Sequence, residues 1–310
     1  MKKTVTHLFL LFCLVYVSCH ATSVHATDVF YFTESVQQTA ATEDTVTLTW
    51  LPFDGADSYK ISRHIAPDQP EQELAIVTGT TATVTLGKNQ EARLRVTPLK
   101  SGTETSTSTL VSTSVQTYTL PAPLSKVRVT NSFDTDTAPE IGWEDIKYGN
   151  IEATVYNYKG KKITSGTSSS SWPYVTVNSL KGKMGYVVFK TYIEINGVKY
   201  YGKQPVTINL VPQPKITKTT VRQNKAVIKW KKVKGAKKYI VYAAKNFSTN
   251  KFKKIATVSA SKNSYTFKKW NKKTINTRKD AYYIKVVAVG KFGKKNVKST
   301  DSSHTRIHTY

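Results

Sequence analysis

The sequence predicts an all-β chain: three tandem two-layered β-sandwiches behind an export signal. Three observations carry this. Apolar and polar residues alternate in short runs, as in half-buried strands. One frame of residues recurs around a single tryptophan in each third of the chain. The N-terminal apolar run is too short to cross a bilayer. Composition agrees, with 39% hydrophobic residues, 18 Tyr and only 2 Met among 310 residues, a tilt toward strand formers.

Lys2 and Lys3 supply the charged start of the signal, and Leu8 to Val17 its apolar stretch. Val24-His25-Ala26 offers small residues for cleavage, with Ala21 as a second site, so residues 1–26 are assigned to the signal peptide. Both cysteines, Cys13 and Cys19, fall in or beside it, and cleavage at Ala26 leaves a mature chain without disulfides. A cysteine-free exported chain fits a bacterial source, secreted or associated with the cell envelope. Tyr16-Val17-Ser18-Cys19 is an alternative processing site, a loose lipoprotein box in which Cys19 would be lipidated. No other stretch is apolar and long enough for a membrane span, and a monomeric mature chain is expected.

The frame is sharpest in the outer thirds. Val46-Thr47-Leu48-Thr49-Trp50 alternates, Gly55-Ala56 marks a turn, and Tyr59-Lys60-Ile61 alternates again. Trp230, Gly235-Ala236 and Tyr239-Ile240-Val241 repeat it at the same spacing. The middle third carries a blurred copy in Ile141-Gly142-Trp143, Tyr148-Gly149-Asn150 and Ile151 to Val155. Each copy closes with a further alternating strand, Ala92 to Val96, Tyr186 to Tyr192 and Tyr282 to Ala288, and in the middle one Leu180 stands six residues ahead.

On these residues the chain resembles the fibronectin type III family of immunoglobulin-like β-sandwiches: a Trp in the second strand, a Tyr opening the third, and a Leu-turn-Tyr corner. The resemblance implies three modules, 28–119, 120–211 (divergent) and 212–310, with Trp50, Tyr59, Trp143, Tyr186, Trp230, Tyr239 and Tyr282 in their cores. Ala92 stands where the first module should have its corner Tyr, and Lys190 occupies an expected apolar position of the second. Leu120-Pro121-Ala122-Pro123 and Val211-Pro212-Gln213-Pro214 are read as short, extended linkers between separate beads.

Chemistry is scarce. His64, His304 and His308 are the histidines outside the signal region, and no phosphate loop, nucleophile elbow or free thiol stands in residues 27–310, so no catalytic residue, metal site or cofactor is expected. Asp134-Thr135-Asp136 near Glu140 is read as a polar inter-strand turn in preference to a calcium loop. Trp172-Pro173-Tyr174 and Tyr200-Tyr201 are read as strand residues half in the core, with stacking faces for sugars as the alternative.

Charge is the surviving signal. Of the formal +26, residues 28–119 carry 6 Lys+Arg against 11 Asp+Glu, residues 120–211 carry 11 against 7, and residues 212–310 carry 27 against 2. Lys231, Lys232, Lys234, Lys237 and Lys238 crowd one turn; Lys253 and Lys254, then Lys268, Lys269, Lys272 and Lys273, then Lys294 and Lys295 follow. These are the candidate polyanion-binding residues, and a field rich in Lys and poor in Arg suits diffuse attraction. The expected partner is an anionic cell-wall polymer or acidic glycan, with other surface proteins also considered. An accessory carbohydrate-binding protein and an extracellular nucleic-acid binder are the alternative readings. Lysine as mere protection of strand edges also accounts for the charge. No Leu-Pro-x-Thr-Gly sorting motif precedes Tyr310, so surface retention is expected by charge or by a lipid on Cys19.

Overall fold

The computed structural model describes residues 32, 35–65, 69–104, 113–169, 172–246, 252–299 and 304–309. The residues read as a signal peptide, the expected cleavage sites and Cys19 lie outside the described residues. None of the helices among those residues is long and apolar enough to cross a membrane.

Strands dominate, and they group three times into a small sheet facing a larger one. In the first module β1 (Gln37–Ala41), β2 (Thr45–Thr49) and β5 (Thr81–Thr85) form the small sheet. The larger has the order β4 (Gln72–Val77), β3 (Ser58–His64), β6 (Glu91–Lys100), β7 (Thr103–Glu104), with β8 (Thr113–Tyr118) also on β6. Alternation sends Val46, Leu48, Trp50, Ile61, Leu94 and Val96 into one core, all buried, because every second side chain of a strand meets the facing sheet.

The second module repeats the plan. Its small sheet is β9 (Arg128–Val129), β10 (Glu140–Gly142) and β13 (Tyr174–Thr176), in the order β13-β10-β9. Its large sheet runs β12 (Lys162–Ser169), β11 (Asn150–Asn157), β14 (Gly185–Ile195), β15 (Val198–Tyr201), with β16 (Val206–Leu210) also on β14. In the third module β17 (Ile216–Arg222), β18 (Lys225–Trp230) and β21 (Ser264–Phe267) face a second sheet. That sheet runs β20 (Lys253–Ser259), β19 (Lys238–Lys245), β24 (Tyr282–Phe292), β25 (Lys295–Lys298), with β26 (Thr305–Ile307) also on β24. A two-stranded ribbon, β22 (Lys269–Trp270) with β23 (Lys273–Thr274), stands apart.

Trp50, Trp143 and Trp230 are 5%, 5% and 0% exposed. Tyr186 departs from its expected place. In β14 the inward side chains are Val187 and Phe189, and Tyr186 is half-buried on the opposite face, stacked on Tyr156 at 4.8 Å. The inward position that Tyr282 holds in β24 is occupied by Gly185: Asn157↔Gly185 in the second module matches Lys245↔Tyr282 in the third. Leu180 fills the space, lying so close that a Cβ on Gly185 would come within 2.6 Å of its methyl. The one-residue phase difference also explains Lys190, which points outward and sets its amine over the Tyr201 ring at 5.3 Å.

The second and third modules are not separate beads. They belong to one compact unit. Residues 211–214, read as a linker, are buried; Thr135 N–H donates to Gln213 O at 3.1 Å, and Gln213 N–H donates to Phe133 O at 2.9 Å. Met184 of the second module, 1% exposed, joins the third module's core against Gly290. Tyr158 lies on Gly235, and Tyr186 meets Phe292 edge to face at 6.3 Å. Pro fixes the backbone as expected, but the fixed segment is then roofed by both sandwiches.

Asp136 seals the rim of this junction. Lys231 donates to its carboxylate at 2.6 Å and Lys215 at 2.9 Å. The hydrogen bond from Lys231, then that from Lys215, lowers the Asp136 carboxyl to about 2. A depressed carboxyl contributes stability above its ordinary value, near 3.8, and loses it as pH falls through the folded value. The junction contact is therefore expected to weaken between about pH 4 and 2. A carbon-detected NMR titration should find the Asp136 midpoint near 2, moving up in a Lys231→Ala variant. A midpoint in the ordinary range in both proteins would contradict the pairing.

Candidate polyanion interface

The most crowded lysine group sits on the turn from β18 to β19, and that turn is built by the sandwich itself. The Tyr239 hydroxyl accepts the Val233 backbone N–H at 2.9 Å, and Ala236 N–H donates to Val233 O at 3.2 Å. Gly235 turns the chain at φ +96°, a region that costs other residues. Lys237 N–H then anchors to Val289 O at 2.8 Å. Burial raises the pKa of the Tyr239 hydroxyl, which keeps it protonated.

The first module makes the same turn. Phe53 N–H donates to the Tyr59 hydroxyl at 2.8 Å, Ala56 N–H to Phe53 O at 3.1 Å, and Asp57 N–H to Leu99 O at 3.0 Å, with Gly55 at φ +76°. Trp50 meets Tyr59, and Trp230 meets Tyr239, at 5.3 Å and near-equal tilt. Position for position, Leu51, Pro52, Asp54, Asp57 and Ser58 stand where the third module has Lys231, Lys232, Lys234, Lys237 and Lys238. The backbone therefore does not require lysine there.

Strand order and the buried tryptophan in the second strand, with the tyrosine-capped turn of the outer two modules, settle the architecture. The modules are fibronectin type III-like sandwiches. No family model matches the chain, and no curated protein matches it. Among solved structures, it is similar to the chicken CNTN1 FN1–FN3 domains at 13% identity, covering 88% of this chain and 96% of that one, with a TM-score of 0.28. A two-domain fibronectin type III segment of chicken tenascin is 16% identical, covering 60% of this chain and 99% of that one, at a TM-score of 0.34. The central fibronectin-III array of RIM-binding protein is 14% identical, covering 89% and 96%, at 0.24.

All thirteen candidate lysines of this fibronectin type III-like module are exposed. They do not form one cluster. Lys231 is committed to Asp136, and Lys234 lies beside Lys183 at the junction with the second module. Lys253 and Lys254 face Ala243 and Tyr242 across β19–β20, and Lys253 places its amine 5.9 Å above the Trp270 ring. Lys269, Lys272 and Lys273 ride the β22–β23 ribbon, whose tight turn holds Asn271 and Lys272 at positive φ; Lys268 precedes it. Lys294 and Lys295 follow Gly293 at the β24–β25 hairpin. Asp280, the described carboxylate of this module, is taken by Lys245 at 2.9 Å, and Tyr282 donates to it at 3.2 Å. Among the described residues, of the thirteen only Lys231 has a carboxylate partner.

The structure adds residues that clustering in sequence did not single out. On the outer face of β19 and β24, Tyr242 is flanked by Lys254 on one side and Lys285 on the other. The Lys285 amine lies 5.6 Å over Tyr242 and 4.6 Å over Phe252, and Lys298 donates to the Tyr242 hydroxyl at 3.4 Å. Period-two alternation along β24 is the signal that places Lys285 outward.

The remaining sequence candidates resolve simply. Asp134 accepts from Asp136 N–H at 2.7 Å and Thr137 N–H at 3.1 Å, an Asx turn. Groups of three or more metal-ligating side chains are absent among the described residues. Trp172 and Tyr174 overturn their expected half-burial: they are 61% and 47% exposed and meet edge to face at 6.3 Å. Among the described residues, no strand pairs outside the edge segment that carries them. Tyr200 and Tyr201 are half-buried, and Tyr201 donates to Glu152 at 2.7 Å.

Proposed function

We propose that this is an exported, non-catalytic binding and display protein whose third module holds it on an anionic cell-wall polymer or acidic glycan. One observation carries the reading: the turn that bears Asp54 and Asp57 in the first module bears five lysines on the same backbone in the third. Edge protection alone would not reverse the charge of one turn and spare the other. The field is diffuse, exposed and almost free of internal carboxylates, so it attracts polyanions without reading their sequence and weakens as salt screens it beyond about 8 Å. The first module, net acidic, is left to project or to contact a partner.

The test is binding of the exported chain to a purified anionic wall polymer, an acidic glycan, DNA and a neutral glycan at several salt concentrations. Affinity for the anionic wall polymer and the acidic glycan should fall at least tenfold between about 50 and 200 mM salt, in the manner of counterion release. Absence of polymer binding, or salt-independent binding, would overturn the proposal. A neutral-glycan reading has a separate observation in its favour, the exposed Trp172–Tyr174 pair, since aromatic faces stack on sugars. Salt-insensitive binding lost on Trp172→Ala would establish that alternative.

A further inference from the structure

The outer two sandwiches close one edge alike, and the second does not. In the first module the inner face of β4 presents Val77 and Ala75 opposite Tyr59 and Ile61. In the third, β20 presents Val258 and Ala256 opposite Tyr239 and Val241. These four side chains pack on their cores and close the gap between the sheets. The second module has Ser168 opposite Ile151 and Gly166 opposite Ala153 at the same two positions. Ile151 also replaces the tyrosine that packs on the tryptophan in the outer modules, so a ring is missing as well as two aliphatic groups.

The consequence is a cavity of about 320 Å³ between the free edges of β12 and β13. Trp143, Phe189, Ile151, Val155 and Val177, all buried, form its apolar wall, and Thr164 and Ser168 line it with hydroxyls. None of its lining side chains is charged. A Cβ added to Gly166 would meet nothing within 4 Å, so the space opposite Ala153 is open. Ser179 is also a lining residue, its hydroxyl buried and without a partner among the described residues.

We propose that this cleft of the second module binds a neutral, largely apolar small molecule carrying a hydrogen-bonding group. Its size falls within the range of ligand pockets, about 300–1,000 Å³. The aliphatic and aromatic groups that fill the equivalent space in the sister modules define the ligand body, one or two rings or a short alkyl chain. The missing charge excludes an ionic ligand, because a buried charge without a partner is expensive. Thr164 and Ser168, on the β12 wall, stand where a side-chain hydroxyl can bond the polar end. This site is independent of the lysine field, and the two differ in their response to salt.

The test uses the exported chain and N-phenyl-1-naphthylamine, a neutral fluorophore that brightens in apolar surroundings and accepts excitation energy from indole. One saturable site per chain is expected, unaffected by salt, with energy transfer from Trp143. Gly166→Ala combined with Ser168→Val restores the sister modules' filling and should weaken uptake at least tenfold while holding or raising the melting temperature. Ser168→Val alone serves as the milder variant, with a smaller loss in the same direction. No saturable uptake, uptake that falls with salt, or undiminished uptake by folded variants would overturn the proposal.

Discussion

Trp230→Ala is expected to unfold the third module at a temperature roughly 12–40 °C below the wild type, whereas Trp172→Ala should leave melting nearly unchanged. Trp230 is fully buried, packs edge to face on Tyr239 and hydrogen-bonds through its backbone to Asn263 O at 3.0 Å. Truncating such a ring costs about 3–5 kcal/mol in lost transfer energy and residual cavity. That is a large fraction of the about 5–15 kcal/mol that holds a domain folded. At about 4–8 °C per kcal/mol for a module of this length, the shift follows. Trp172, 61% exposed, has little burial to lose. Near-UV circular dichroism against temperature distinguishes the two, and equal shifts would contradict the assignment of one indole to the core and the other to the surface.

Gly185→Ala is the second large effect, because it adds one methyl where the chain has no room. Its Cβ would lie 2.4 Å from the Tyr156 carbonyl oxygen and 2.6 and 2.9 Å from the Leu180 methyls. The carbonyl belongs to the β11–β14 ladder and cannot rotate away. Overpacking of this kind costs about 1–3 kcal/mol. The second module should show it as a lower denaturant midpoint and faster exchange of the β14 amides. A neutral or stabilising outcome would mean that Leu180 does not occupy the corner position.

These two positions show how far the sequence could be read. Spacing around Trp50 and Trp230 was enough for the outer modules, since Tyr59 and Tyr239 obey one register and Ala92, Leu94 and Val96 alternate inward as Tyr282, Ile284 and Val286 do. The second module misled by one residue. Residue type matches Tyr186 to Tyr282, but type is a weaker guide than phase: a one-residue shift exchanges the faces of a strand, and Gly185 carries no side chain to reveal the inward position. Alternation read from Val187 and Phe189 alone would have found it.

The junction between the second and third modules was invisible for a different reason. Met184, Tyr158, Asp136 and Lys231 are far apart in sequence, and nothing local distinguishes a proline linker that is roofed from one that is bare. Exposure of Trp172 and Tyr174 likewise depends on which strand is at the sheet edge. The lysine groups were legible as composition, but their division among a turn, a ribbon, a hairpin and an outer sheet face required the fold. Lys285 and Lys298 belong to that face through strand register.

If the third module makes the contact with the anionic polymer, its lysines lose reactivity when the polymer is bound. Lysine acetylation footprinting of the full chain, with and without an anionic wall polymer, reads that contact residue by residue. Protection is expected at Lys232, Lys253, Lys254, Lys268, Lys269, Lys272, Lys273, Lys294 and Lys295. Lys60 and Lys88 of the first module should acetylate at unchanged rates. Protection confined to the first two modules, or an identical pattern with and without polymer at low salt, would contradict it.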